Sequence, residues 1–302
     1  MFNSEVPTIP GPMCPAVALK VPDEELDLAQ TLCNGQTFRW RECRPGQWFG
    51  LIENRPVWVT HHAGLLQVYG LPEPPSVVRV REYFDLATPM ADILATFPAA
   101  DPAMQAAVQA YAGMRLLHQD PWEMLMSFVL ASNKRIPHIQ QCIERLCARY
   151  GEPIPTGEDG ATVYGWPSAS TLAGATEADL RACALGYRAP YISALARMVE
   201  SGAIDLVLPY SMRYEEAQRY LQQIPGIGPK VADCVLLFAY GHQEAFPIDV
   251  WIDRVLRRFY TGGKPVPAKE KAAFVRARFG PYAGYAQQYL FHWARCCSKD
   301  WG

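Results

Sequence analysis

The chain has 302 residues, of which 50% are hydrophobic and 19% are charged. These values exclude a disordered or fibrous protein, and they leave room for one large globular domain or a few ordinary ones. The formal net charge of −2 on its face argues against a nucleic-acid partner.

Between residues 36 and 70, short strand-like runs are separated by turn-forming Pro, Gly and Asn residues. Because such runs pair with their neighbours in the chain, an antiparallel sheet is the expected product. The predicted strands are 36–42, 48–52, 57–61 and 65–68.

Beyond about residue 88 the hydrophobic period becomes helical, with Pro and Gly at the breaks. Helices are predicted at 102–112, 121–132, 137–150, 168–173, 177–182, 189–201, 214–223, 229–240, 250–259, 268–279 and 282–296. The expected fold class is therefore α+β. We predict an N-terminal β-rich domain at residues 1–100 and a helical domain at 101–302.

Targeting segments and metal ligands are not predicted. No apolar stretch approaches the roughly 20 residues of a bilayer span, and no basic residue precedes an apolar run at the start. A cytoplasmic location without a signal peptide is therefore the default expectation. Nine scattered cysteines without a Cys-x-x-Cys spacing favour reduced thiols. Adjacent Cys296 and Cys297 are poor joint ligands for one ion, so we expect no metal site.

A glycine-rich hairpin, Leu221-Gln-Gln-Ile-Pro-Gly-Ile-Gly-Pro-Lys230, lies between two predicted helices. Gly226 and Gly228 permit backbone angles that other residues resist, and they leave successive N–H groups exposed. The helix that begins at Pro229 points its free N–H groups outward, as phosphate sites do. We predict a helix-hairpin-helix unit at about 214–241 that binds duplex DNA, the alternative being an ordinary turn between helices.

Lys230 occupies the first turn of that helix, where a cation is electrostatically unfavourable. An unperturbed lysine amine is free base in only about one molecule in 2,500 at pH 7. The helix N-terminus and partial burial both favour loss of the proton, which a nucleophile requires. A nucleophilic lysine and a phosphate-contacting lysine are both compatible with the spacing.

Asp249 lies nineteen residues after Lys230, in the segment Ala245-Phe-Pro-Ile-Asp249-Val-Trp-Ile-Asp253. It precedes a helical pattern and would serve as an ordinary N-cap. A carboxylate held by backbone N–H groups also stays ionised, as is needed to stabilise a cationic sugar or to assist proton transfer. The two roles are compatible with each other.

A local excess of positive charge follows Asp249. Residues 251–280 contain eight basic and two acidic side chains, a local charge of 8 − 2 = +6. Such a surface is compatible with phosphate contact despite the overall charge. A solvated helix face explains the same pattern equally well.

The hairpin, Lys230 and Pro247-Ile-Asp249-Val together resemble the helix-hairpin-helix DNA glycosylases, and the chain is most similar to the eukaryotic-type 8-oxoguanine DNA glycosylases. The similarity extends from about residue 26 to 291. It is carried by Asn34-Gly-Gln-Thr-Phe-Arg-Trp40, Arg115-Leu-Leu-His-Gln-Asp-Pro121, Leu130-Ala-Ser-Asn133, Leu185-Gly-Tyr-Arg188, Lys230-Val-Ala-Asp-Cys234 and Gly284-Tyr-Ala-Gln-Gln-Tyr-Leu-Phe291.

This resemblance implies roles for individual residues. Lys230 is the expected nucleophile and Asp249 the essential carboxylate. The Gly35 carbonyl would accept the N7–H that distinguishes 8-oxoguanine from guanine, and Gln287 would read the Watson–Crick edge. An extruded base also needs stacking partners and a filler for the gap it leaves. For those tasks the resemblance implies Phe291 and Cys234 at the base, and Asn133, Tyr187 and Arg188 at the opposite cytosine.

Some positions depart from the family pattern. Trp251 stands where the family has a histidine two residues after the aspartate. Lys134 and Arg135 replace two asparagines, and His138 replaces an arginine that reads the cytosine. Lys134, His138 and Trp251 are still expected at the DNA, and the preference for the opposite base is expected to be looser.

The resemblance implies a bifunctional enzyme that excises 8-oxoguanine from duplex DNA through a lysine Schiff base and nicks the strand by β-elimination. We expect a monomer that needs no cofactor, located in a bacterial nucleoid or a nucleus. One alternative is a related glycosylase with a different base specificity, although iron–sulfur members need four closely spaced C-terminal cysteines. The other is a non-catalytic helix-hairpin-helix module that binds DNA.

Overall fold

The structure is a computed structural model that describes residues 7–9, 15–70, 76–132, 134–156, 162–267 and 270–297. Its strands are β1 Val17–Lys20, β2 Arg41–Arg44, β3 Gln47–Ile52, β4 Arg55–His62, β5 Leu65–Tyr69, β6 Pro153–Pro155 and β7 Thr162–Tyr164. The first five form an antiparallel sheet in the order β1-β5-β4-β3-β2, and β6 pairs with β7. The antiparallel N-terminal sheet predicted from the sequence is thereby confirmed.

The sheet packs one face against its own small core. Val57 and Val59 of β4 are fully buried, as are Leu66 and Val68 of β5, and Val59 is paired directly with Val68. Alternate residues share one face of a strand, so this pattern buries aliphatic side chains together. The strands predicted at 48–52, 57–61 and 65–68 coincide with β3, β4 and β5.

The strand predicted at 36–42 is largely wrong, because the strand there begins only at Arg41. Gln36 is fully buried, and its side-chain amide donates to the carbonyls of Thr31 and Arg115, each at 2.8 Å. Its carbonyl accepts from the Gln119 side chain at 2.9 Å. These hydrogen bonds pair the polar groups of Gln36 in an irregular conformation. The alternation of apolar and polar residues along the segment does not reveal them.

Helices make up most of the remaining chain. They are α1 Leu28–Leu32, α2 Ser76–Tyr83, α3 Met90–Leu94, α4 Pro102–Ala110, α5 Pro121–Ala131, α6 Ile136–Tyr150, α7 Ala169–Ala173, α8 Glu177–Leu180, α9 Ala189–Glu200, α10 Tyr214–Leu221, α11 Pro229–Phe238, α12 Val250–Val255, α13 Lys271–Phe279 and α14 Ala283–Cys297. Every predicted helix overlaps one of these, whereas α1 to α3 and β1 were not predicted. Three-residue 3₁₀ turns occur at Gly186–Arg188, Leu208–Tyr210 and Gly280–Tyr282.

Two π-helical turns continue predicted helices, and the hydrophobic period of the sequence did not predict this change of helix type. Arg181–Leu185 continues α8, and Leu256–Tyr260 continues α12. Within the first, Ala184 has a φ of +65°, a left-handed conformation that is costly for a residue with a side chain.

The helical core is larger than that of the sheet. Helices α5 and α11 are buried on almost every side, which explains their nearly uninterrupted apolar sequences. Phe38, Ile93 and Phe97 also pack into this core although they precede residue 101. The domain division at residue 100 therefore stays a prediction. In the described part of the chain, no helix is long and apolar enough to cross a membrane.

Candidate active site

A cavity of about 530 Å³ lies where the turn at Gly35 meets α5, α6, α11, α12 and α14. Its size is typical of a small-molecule or nucleobase pocket. The cavity brings together the two predicted catalytic residues and all four predicted base contacts. Its walls include Gly35, Lys134, Lys230, Cys234, Asp249, Trp251, Gln287 and Phe291.

The hairpin before α11 is anchored by Ile224 and Ile227, which are buried, whereas both of its glycines are exposed. Gly226 has a φ of +87°, and a Cβ there would lie 2.7 Å from the Tyr191 ring. Gly228 has an ordinary φ of −90°, and a Cβ there would meet nothing within 4 Å. The predicted need for a special backbone angle is therefore right at Gly226 and wrong at Gly228.

Lys230 lies in the first turn of α11, as predicted, and its side chain reaches into the cavity. The Nζ atom lies 5.3 Å from the centroid of the Phe128 ring, a cation–π contact that positions the amine. Cys234 lies one helical turn further on and lines the same cavity. The amine therefore lies against an aromatic ring and a thiol.

Asp249 is the N-cap of α12, also as predicted. One carboxylate oxygen accepts from the backbone N–H of Trp251 at 3.0 Å and from that of Ile252 at 2.9 Å. Burial raises the pKa of Asp249, whereas the Ile252 N–H and the Lys230 ammonium act in the opposite direction. The carboxylate is thus held by one helix terminus and faces the same cavity as the lysine on another.

Cys234 supplies an apolar patch of the wall. Burial raises the pKa of its thiol to about 11, although the Lys230 ammonium opposes the shift. At neutral pH the sulfur is therefore protonated and uncharged, as suits a surface that packs against a flat ring. The thiol does not compete with the amine as a charged nucleophile.

The turn at Gly35 leaves little space above its backbone. Gly35 has a φ of +94°, and a Cβ there would lie 3.1 Å from the Arg295 guanidinium and 3.2 Å from Ile136. Arg295 and Gln288 both donate to the Asn34 carbonyl, at 3.1 Å and 3.3 Å. These two residues position the turn, and neither was among the residues predicted for the site. The available signal was their position on α14, where Gln288 follows Gln287 by one residue and Arg295 follows it by eight.

Gln287 is buried on α14 and donates its side-chain N–H to the Pro247 carbonyl at 3.1 Å. Its side-chain oxygen is buried and, among the described residues, has no hydrogen-bond partner. Because buried polar atoms are normally paired, this oxygen is available to a ligand. Phe291 lies one turn further on, with the Arg295 guanidinium 5.4 Å from its ring centroid.

Tyr187 and Arg188 form a separate surface feature outside the cavity lining. Tyr187 is 51% exposed, and the Arg188 guanidinium lies 4.2 Å from its ring centroid. The guanidinium is otherwise buried and donates to the Ser132 carbonyl, which also accepts from the Tyr187 hydroxyl at 3.4 Å. The predicted residue Asn133 lies outside the described residues.

The remaining predicted DNA contacts occupy different environments. Trp251 is half-buried in the cavity wall, with the Arg254 guanidinium 5.1 Å from its ring. His138 is exposed on α6. Lys134 lines the cavity, but its Nζ donates to the Ala184 carbonyl at 3.0 Å. In the part of the chain that the structure describes, no three His, Cys, Asp or Glu side chains cluster as metal ligands.

Two family models match the chain. The N-terminal domain of 8-oxoguanine DNA glycosylase matches residues 18–125, and the HhH-GPD superfamily of base excision DNA repair proteins matches residues 126–277. The second match covers half of the chain. The fold and the site therefore define a helix-hairpin-helix base excision DNA repair protein.

Similar proteins narrow this class. A probable N-glycosylase/DNA lyase of Methanothermobacter thermautotrophicus is 31% identical over 92% of this chain and 96% of its own. The N-glycosylase/DNA lyase OGG1 of Arabidopsis thaliana is 29% identical over 90% of this chain and 78% of its own. A solved structure of a Clostridium acetobutylicum 8-oxoguanine glycosylase/lyase is also similar, with 32% identity and a TM-score of 0.84. The similarity covers 90% of this chain and 92% of that one, which is in complex with double-stranded DNA containing cytosine opposite 8-oxoG. The chain belongs to the 8-oxoguanine DNA glycosylase/lyase family.

Proposed function

We propose that this protein excises 8-oxoguanine from duplex DNA and then nicks the damaged strand, as the names of its relatives indicate for them. The observation that carries the proposal is the cavity shared by an amine, Lys230, and a carboxylate, Asp249. Each lies at the start of its own helix, so the backbone fixes both groups.

Lys230 is the proposed nucleophile. Its amine, once deprotonated, attacks C1′ of the deoxyribose while the bond to the base breaks, and the base leaves with a proton. The C1′–O4′ bond then breaks, O4′ takes up a proton, and the ring-opened covalent product is a Schiff base. Loss of a C2′ proton then eliminates the 3′ phosphate and opens the strand. The Phe128 ring and the uncharged Cys234 thiol lie beside the amine and limit the positions that its side chain can take in the cavity.

Asp249 is proposed to stabilise the positive charge that develops on the sugar during this step. A preorganised carboxylate is effective because it needs no reorientation as the charge appears. Its two backbone hydrogen bonds supply that preorganisation. The chemistry proposed here requires no metal or organic cofactor.

Base recognition is proposed for other residues of the cavity wall. The Gly35 carbonyl accepts N7–H, and the free side-chain oxygen of Gln287 contacts the Watson–Crick edge. Phe291 and Cys234 contact the faces of the base. A flipped base needs such edge and face contacts, which supports the assignment.

DNA binding is proposed for the hairpin and for the Tyr187 surface. The exposed backbone at Gly226 and Gly228, which leads into the start of α11, binds phosphates. Tyr187, Arg188 and Asn133 occupy the gap beside the orphaned cytosine, and His138 and Trp251 contact the backbone. We further propose a monomer that acts where the genome lies, in a nucleoid or nucleus.

Excision from duplexes with 8-oxoguanine opposite each of the four bases tests this function. We expect strand nicking well above that of a matched duplex with guanine, and cleavage opposite bases other than cytosine because His138 replaces an arginine. Nicking equal to the undamaged control would contradict the proposed activity. Strict dependence on cytosine would contradict only the relaxed opposite-base reading.

A further inference from the structure

A second lysine–cysteine contact lies outside the proposed chemistry. Lys134 Nζ is 2.7 Å from Cys142 Sγ, and the two residues come from the loop after α5 and from α6. Even N–H···O hydrogen bonds to the smaller oxygen atom have a typical length of about 2.9 Å. The amine and the sulfur are therefore closer than an ordinary hydrogen bond to sulfur requires.

Three elements hold this contact in place. The Ala184 carbonyl accepts from Lys134 Nζ at 3.0 Å and from the Cys142 thiol at 3.3 Å. Ala184 itself has a φ of +65° in the π-helical turn Arg181–Leu185. Such a conformation persists only where its surroundings determine it, so the amine and the thiol are fixed beside each other.

We propose that Lys134 and Cys142 form a covalent cross-link through one oxygen atom, Nζ–O–Sγ, when the protein meets hydrogen peroxide. Peroxide first oxidises the thiol to a sulfenic acid and releases water. The Lys134 ammonium releases one proton to solvent, and the sulfenic acid and the resulting amine then lose one hydrogen each as the N–O bond forms. A second peroxide accepts these two hydrogens with their electrons and becomes two waters.

The oxidant has a route to the pair. Cys142 is 2% exposed, which keeps bulky thiols away from an intermediate sulfenic acid. Lys134 lines the 530 Å³ cavity, so a molecule as small as peroxide meets the amine side of the contact there. A sulfenic acid at this position therefore has the amine as its nearest reaction partner.

The cross-link would act on the segment next to Ser132, whose carbonyl holds Arg188 and Tyr187. It ties residue 134 to α6 and replaces an ammonium with an uncharged nitrogen. We therefore expect oxidation to slow excision at least threefold, with recovery in dithiothreitol. This second readout rests on the proposed function, whereas detection of the cross-link does not.

Peptide mapping of the full-length protein after peroxide treatment tests the proposal. Trypsin cleaves after Arg135 but not after a modified Lys134, so the expected product joins peptide 116–135 to peptide 136–145. Its mass exceeds that of the two peptides by about 14 Da, one oxygen gained and two hydrogens lost. The product should disappear in dithiothreitol.

The variants Lys134→Met and Cys142→Ser should each abolish the joined peptide. Cys147→Ser should retain it, since Cys147 is also buried on α6 but is not the partner of Lys134. Absence of the joined peptide from oxidised wild type would overturn the proposal. An equal loss of excision rate in Cys142→Ser would overturn the proposed effect of the cross-link on excision, because another thiol would then be responsible.

Discussion

At the scale of single residues, Asp249 combines a structural and a proposed chemical role. Its carboxylate caps α12 through two backbone N–H groups and faces Lys230 across the cavity. Asparagine caps a helix about as well as aspartate but carries no charge. Replacement by asparagine therefore separates the two roles.

We expect Asp249→Asn to lower the single-turnover excision rate by at least about 100-fold, the usual range for a positioned ionised group. The free energy of unfolding should stay within about 0.5 kcal/mol of wild type, because the cap is retained. Asp249→Ala should lose both the rate and about 1 kcal/mol of stability. Excision by Asp249→Asn at the wild-type rate would leave the residue with capping alone.

At the scale of elements, the hairpin glycines differ in a way that the sequence does not distinguish. Gly226→Ala should destabilise the protein by about 1–3 kcal/mol, because alanine resists the left-handed conformation and its Cβ meets Tyr191. Gly228→Ala should cost less than about 1 kcal/mol, because its φ is ordinary and its surroundings are open.

DNA affinity should nevertheless fall in Gly228→Ala, since the added methyl group lies where a phosphate would approach the start of α11. Urea unfolding and binding to an abasic duplex, measured on both variants, check this pair. Equal affinity of Gly228→Ala and wild type would contradict phosphate binding at this hairpin.

The elements that the sequence predicted share a strong local signal. Alternation marked β3 to β5, and prolines at helix starts marked α5 and α11, whose first residues are Pro121 and Pro229. The elements that it missed are short or lack such a signal. Strand β1 has only four residues and is held by pairing with β5, a contact distant in sequence. The irregular turn at Gln36 likewise depends on carbonyls far along the chain.

The same distinction applies to the site. The positions of Lys230 and Asp249 at helix starts follow from local sequence, and both predictions of placement are confirmed. The support that Arg295 and Gln288 give to the Gly35 turn joins residues more than 250 positions apart. Only the folded chain reveals such a contact. The chemical roles of Lys230 and Asp249 remain proposals.

At the scale of the whole molecule, stability should depend on the charge state of Glu123 near the start of α5. Burial raises the pKa of Glu123 from its usual 4.5 to about 7, although the Arg39 guanidinium opposes this. Between these values the folded state binds more protons than the unfolded state. The contribution of Glu123 to the free energy of unfolding is therefore fully present below pH 4.5 and is lost as the pH rises through 7.

We expect Glu123→Gln to resemble wild type at pH 4 and to be more stable at pH 8, by up to about 3 kcal/mol. The ion pair of Arg39 is retained in this variant, since its partner is Glu144, at 3.3 Å. Urea unfolding at the two pH values measures the difference. If the unfolding free energies of Glu123→Gln and wild type differed by the same amount at both pH values, this account of Glu123 would be contradicted.

The central claim is that Lys230 forms a Schiff base with the damaged strand, and borohydride trapping on an 8-oxoguanine duplex tests it most directly. Reduction should join wild-type protein to DNA irreversibly, and Lys230→Gln should give no adduct. Lys20→Gln is the control, because this lysine of β1 lies outside the cavity lining and its variant should retain the adduct. No adduct with wild type, or an undiminished one with Lys230→Gln, would contradict the claim.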